Sequence, residues 1–110
     1  MEKDTHITEV VFRVYKSGFD KGEVLALFPY SIATDHFVDC YQFCGQHGSA
    51  DYDHCVNQTR LATEEEAAGM KKHLEEHYGY NLKVVKRRNY DKYLDAYHKS
   101  RQAYKNSCKA

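Results

Sequence analysis

Two apolar runs joined by a glycine-bracketed turn constrain this chain more than any other feature. ITEVVFRVYK (7–16) alternates, with Val10, Phe12 and Val14 on one face and Glu9, Val11, Arg13 and Tyr15 on the other. A period of two sends successive side chains to opposite faces, so the run reads as a half-buried strand. SGFDKG follows, and its two glycines and aspartate are the chemistry of a hairpin turn. EVLALF (23–28) is apolar on both faces, as a central strand must be. Pro29 lacks an N–H for the ladder and is expected to end that strand.

After the polar connection SIATDH, the period of two resumes in FVDCYQFC (37–44). Phe37, Tyr41 and Phe43 face one way, and Val38, Cys40 and Cys44 face the other, which predicts a third strand. VNQTRL (56–61) reads as a short extended piece. The strongest local signal starts at Thr63, in TEEEAAGMKKHLEEHYG. Thr63 and Glu66 have the spacing of a capping box, in which each side chain satisfies the other's backbone N–H. Glu64 and Glu65 stand in the first turn, where the helix dipole favours negative charge. Ala67, Met70, Leu74 and Tyr78 make one apolar stripe, and Gly79 is placed to take the left-handed conformation after the last turn. YNLKVVKR (80–87) predicts a fourth strand. In the tail, Tyr90, Tyr93, Tyr97 and Tyr104 recur at helical spacing beside Leu94, with charges between them.

The order β-β-β-α-β-α predicts an α+β fold: one mainly antiparallel sheet of about four strands packed by one helix, plus a C-terminal amphipathic helix. Residues 1–88 form the compact domain, and 89–110 a tyrosine-rich helix docked on that domain or on a partner. At 110 residues one domain is expected, large enough to bury a core. The hydrophobic fraction of 42% includes ten tyrosines, so the aliphatic core is lean.

No apolar run approaches the ~20 residues of a membrane helix, and the first residues lack the apolar region of a secretory signal. A cytoplasmic setting is expected, with Cys40, Cys44, Cys55 and Cys108 as free thiols. Net charge is zero, but residues 1–66 carry 12 acidic against 5 basic side chains and residues 67–110 carry 4 against 11. Either the basic half is a surface for nucleic acid or an acidic partner, or the halves neutralise each other on folding.

CGQHGSADYDHC (44–55) is the stretch most loaded with reactive side chains. Cys40, Cys44, His47, His54 and Cys55 resemble a zinc set at first sight. On an extended strand, however, Cys40 and Cys44 stand about 13 Å apart, too far to share one ion or a disulfide. Cys40 is then a small apolar residue beside Val38, and the reduced set of Cys44, His47, His54 and Cys55 remains. His47, Ser49 and Asp51 supply the residue types of a nucleophile triad. Triads converge from different elements, and the same serine and aspartate are what a turn uses to bond its own backbone. A binding loop is the third reading. Gly45 and Gly48 let the backbone turn sharply, and Gln46, His47, Ser49, Asp51 and Tyr52 project donors and acceptors from a rigid strand. Neither phosphate-loop pattern is present.

GEVLALFPY, GQHGSADYD and GYNLKVVKR together resemble a group of short, uncharacterised proteins of gut-type bacteria and their phages or mobile elements. The resemblance runs from Val11 to Arg87, and GQHGSADY is its most specific part. It implies a bacterial or phage cytoplasmic setting and carries no activity, cofactor or catalytic residue. The expected function is a non-enzymatic binding module. It presents the 45–52 loop (Gln46, His47, Ser49, Asp51, Tyr52) together with Tyr93 and Tyr97 to a protein partner or a second copy, as a homodimer. No cofactor, metal or membrane enters this reading. One alternative is nucleic-acid binding through Lys83, Lys86, Arg87, Arg88, Lys92 and the tail tyrosines. The other is a small metal-dependent or thiol hydrolase built on residues 44–55.

Overall fold

β1 (Ile7–Tyr15) and β2 (Val24–Thr34) form the central hairpin, with Val11 opposite Leu27, Phe12 opposite Ala26 and Arg13 opposite Leu25. Its turn depends on Gly18 and Gly22, whose φ angles of 83° and 89° strain any residue with a Cβ. Backbone bonds from Tyr15 N–H to Glu23 O at 3.1 Å and from Gly22 N–H to Tyr15 O at 3.0 Å close it. The computed structural model describes residues 7–19, 21–34, 37–42 and 46–108, without the side chains of Thr34, Gln46, His47, Ser107 and Cys108.

β3 (Phe37–Gln42) adds antiparallel to β2, and β4 (Gln46–Ala50) antiparallel to β3. Then follow α1 (Tyr52–Gln58), β5 (Thr59–Leu61), α2 (Glu64–His77), β6 (Asn81–Val84) and α3 (Tyr90–Cys108). The sheet order is β4-β3-β2-β1-β5, with β6 also on β1. Every pairing is antiparallel except β6 with β1, so the fold is α+β with a mainly antiparallel sheet.

The sheet has six strands rather than about four. β4 is an addition because QHGSA has no β-branched or aromatic residue; it is extended because β3 offers it an edge. α1 is an addition because seven residues are too short to show helical periodicity. VNQTRL is therefore split, its first half closing α1 and its second half forming β5. Pro29 does not end β2. The register slips between Phe28 and Ile32, and a bulge of that kind absorbs a residue with no N–H to donate. Phe43 and Cys44, expected at the end of the third strand, lie outside the described residues.

Both faces of the sheet are covered. On one, Val10, Phe12, Ala26, Phe28 and Tyr41 pack against Ala67, Met70 and Leu74 of α2. On the other, Val11, Leu25, Leu27 and Val38 pack against Tyr52 of α1 and Tyr93 of α3, with Leu94 and Tyr97 alongside. β1 is thus buried on both sides along its middle, not half-buried: Val10 and Val11 are each 0% exposed. Each such aliphatic side chain contributes roughly 1.5–3 kcal/mol on leaving water.

α2 begins and ends as its sequence requires. Thr63 Oγ1 accepts from Glu66 N–H at 3.2 Å, and Glu66 Oε1 accepts from Thr63 N–H at 3.0 Å. Gly79 has φ of 75° just past the end. No helix among the described residues is long and apolar enough to cross a membrane.

Candidate functional site

The stretch from Gly48 to Cys55 builds one wall of a cleft of about 480 Å³ between β3, β4 and α1. β3 supplies Cys40 and Gln42, β4 supplies Gly48 and Ser49, and α1 supplies His54 and Cys55. The segment expected to be a loop is a strand followed by a helix. Asp51 is the hinge between them: as N-cap of α1 its carboxylate accepts from His54 N–H at 3.4 Å, and its carbonyl accepts from Cys55 N–H at 3.0 Å.

Cys40 and Cys55, both partly buried, line this cleft, one from the strand and one from the helix. A Cβ at position 48 would stand 3.7 Å from Cys40 Sγ, so glycine there leaves the thiol open on that side. Burial pushes the Cys55 thiol up, and nearby Cys40 and Asp51 push it further. That is the opposite of what a nucleophilic thiol needs. Among the described residues no three His, Cys, Asp or Glu side chains converge on a metal position. Cys44 and the side chain of His47 lie outside the described residues.

The other expected site residues separate. Gln46 and His47 stand in β4 opposite Gln42 and Tyr41, and Ser49, opposite Asp39, is exposed. Tyr52 does not project from a loop: it is buried in the second core, where its hydroxyl accepts the Arg88 N–H at 2.9 Å. Burial raises its pKa, against the lowering effect of Arg88. Tyr93 is also a core side chain, and Tyr97 is half-buried.

Arg88 accounts for this arrangement. Its guanidinium lies 4.4 Å over the Tyr52 ring and 4.1 Å over Tyr93, and it pairs with Asp53 at 3.3 Å. Lys92 pairs with Glu9 and stacks 4.6 Å over Tyr30, while Asn89 caps α3 by accepting from Lys92 N–H at 3.0 Å. Two of the cations expected to meet nucleic acid are therefore engaged within the fold, each with a carboxylate from the acidic half. Lys83, Lys86 and Arg87 stay exposed.

A third cluster lies at the far end of α2. Tyr41 Oη and His73 Nε2 are hydrogen-bonded at 2.9 Å. His73 stacks on His77 at 5.1 Å, and Tyr78 meets both edge-on. The i, i+4 histidines are visible in KHLEEH; the tyrosine of β3 that meets them is not. Comparisons of the chain with protein-family models, with curated proteins and with solved structures give no match.

Proposed function

We propose that the chain is a non-enzymatic binding module whose contact surface for a protein partner is the outer half of α3. The observation that carries this reading is the course of that helix beyond the sheet. Tyr93, Leu94 and Tyr97 dock on the core, but from His98 to Asn106 every residue except Ser100 is exposed. A helix with solvent on all sides has no burial of its own to hold it, and local pairs such as Asp95 with Lys99 at 3.0 Å offset little of that. Tyr97, Arg101 and Tyr104 follow one another at helical spacing, and Tyr104 is 67% exposed. Tyrosine and arginine are the side chains that most often anchor protein interfaces. The short edge strand β4, which pairs only with β3 among the described residues, adds backbone groups for an extended partner segment. The proposed setting is cytoplasmic, consistent with a free thiol at Cys55.

The test compares the native chain with an Arg101→Glu, Tyr104→Ala variant, both folded by circular dichroism. Sedimentation over a range of concentrations reads self-association, and capture from a bacterial lysate reads other partners. Association that the variant loses, with itself or with one captured protein, supports the reading. A native chain that sediments as a monomer and captures the same proteins as the variant overturns it.

A further inference from the structure

β1 and β2 separate at one end of the sheet. Their pairing runs from Val14 opposite Val24 to Val11 opposite Leu27 and, among the described residues, goes no further. Two residues on, the same register would set Glu9 opposite Pro29. Alternate residues of a strand turn their main-chain groups to the same neighbour. Tyr15 N–H donates to Glu23 O at 3.1 Å on the β2 side, so Glu9 turns to that side too, and there Pro29 has no N–H to give. β2 keeps instead to β3, slipping register between Phe28 and Ile32, while Ile7–Val10 of β1 pairs with β6 on its other side. A gap is left between the first residues of β1 and the 28–31 stretch of β2.

The gap is a cavity of about 450 Å³, lined by Ile7 and Glu9 of β1, Phe28 and Tyr30 of β2, Tyr80, and Lys92 of α3. That lies within the range of about 300–1,000 Å³ typical of small-molecule sites. Phe28 and Tyr80 stack at 5.3 Å and, with Ile7, give the cavity an apolar side. Glu9 and Lys92 give it a charged one, and these two converge: carboxylate and ammonium are ion-paired, and the ammonium also stands 4.6 Å over the Tyr30 ring. Tyr30 is held there by the start of α3, where Asn89 N–H donates to its hydroxyl at 2.8 Å. The two charges are unequally covered. The Glu9 side chain is 15% exposed and that of Lys92 56%.

We infer that this cavity is a binding site for a free α-amino acid with an apolar side chain. The ligand's ammonium pairs with Glu9, its carboxylate with Lys92, and its side chain lies against Ile7, Phe28 and Tyr80. The contact between Glu9 and Lys92 selects this class. A monoanion drawn to Lys92 takes the ammonium from Glu9 and leaves a mostly buried carboxylate unpaired. A monocation on Glu9 displaces Lys92 from both Glu9 and Tyr30, and competes with a cation tethered to the same chain. A zwitterion set between the two side chains replaces one ion pair with two charge-assisted contacts, and charges one carbon apart suit partners that touch. The cavity lies at the root of α3, apart from the outer half of that helix.

The experiment titrates L-phenylalanine into the isotope-labelled full chain and follows backbone amide signals. Phenylpropionate lacks the ammonium, phenethylamine lacks the carboxylate, and glycine keeps both charges without the side chain. Saturable shifts confined to residues 7–9, 28–31, 80–81 and 89–92 are expected for L-phenylalanine, and each of the three controls should bind at least tenfold more weakly. In a Lys92→Ala variant, folded by circular dichroism, L-phenylalanine should lose its advantage over phenethylamine. If that variant does not fold, the comparison of ligands on the native chain decides. A control that binds as tightly as L-phenylalanine, shifts centred elsewhere, or an advantage unchanged in the folded variant overturns the inference. So does the lack of saturable shifts in the native chain.

Discussion

The main-chain N–H of Arg88 donates to the hydroxyl of Tyr52 at 2.9 Å, while the guanidinium of the same residue covers the Tyr52 ring at 4.4 Å. The same guanidinium lies 4.1 Å over the Tyr93 ring, so one side chain, 9% exposed, holds α1 to α3. Desolvated cation–π contacts are each worth about 1–2 kcal/mol, and Arg88→Ala is expected to cost about 2–3 kcal/mol in urea unfolding. Arg88→Lys should recover only part of it, since an ammonium lacks the planar face that stacks on both rings. Tyr52→Phe removes the acceptor of one N–H and should cost about 1 kcal/mol. In both Arg88 variants hydrogen exchange should quicken in α3 before it quickens in β1; equal acceleration in both would show that Arg88 does not hold the helix.

What could be read in advance follows the range of each interaction. The Thr63–Glu66 box and the turn at Gly18 and Gly22 were legible because all their partners lie within a few residues. Val10, Phe12 and the EVLALF run were legible because alternation reports a sheet directly. That Tyr52 and Tyr93 share one core around Arg88 is not legible in advance, because Arg88 is 36 residues from Tyr52 and no local period links them. The shared cleft of Cys40 and Cys55 is hidden for a related reason: the 45–52 stretch reads as a loop, whereas Gln46–Ala50 lies beside β3 as β4 and leads into α1. Spacing correctly kept the strand that carries Cys40 extended, but it could not say which distant thiol would face it.

Gly69 sits in the middle of α2, yet a Cβ added there meets nothing within 4 Å. Close packing therefore does not require glycine. Its backbone is helical, and glycine there costs about 0.5–1 kcal/mol relative to alanine, mostly through the freedom it keeps when unfolded. Gly69→Ala should stabilise the chain by that amount, read as a higher urea midpoint at unchanged slope. A loss of stability would mean that the folded chain does not leave the space at position 69 open to a Cβ.

Glu66 sets an acid limit on α2. The Arg60 guanidinium, at 2.6 Å, and the Thr63 backbone N–H hold its carboxyl down from 4.5 to about 2. A carboxyl whose pKa is lower folded than unfolded contributes fully above its unfolded value and loses that contribution as it is protonated. The stabilisation should therefore be complete above about pH 4.5 and fade between there and about pH 2. Glu66→Gln, which keeps an acceptor for the cap but cannot titrate, should flatten this part of the stability–pH curve. A wild-type curve already flat between those limits would remove Glu66 as the cause.

The Cys40–Cys55 cleft makes a prediction about rates. Alkylation requires the thiolate, and burial, Cys40 and Asp51 all raise the Cys55 pKa. Near neutral pH, Cys55 in the folded chain should react with iodoacetamide more slowly than the same residue in urea, and the ratio should narrow as pH rises. Cys40 is governed by access as well, because Gly48 leaves one side of its sulfur uncovered. Gly48→Val should slow Cys40 further while leaving Cys55 nearly unchanged, a split that peptide-resolved mass spectrometry reads directly. If Cys55 reacted faster folded than unfolded, its thiol would ionise more readily in place than in the open chain. The cleft would then have to be considered as a site of thiol chemistry rather than as packing between β3 and α1.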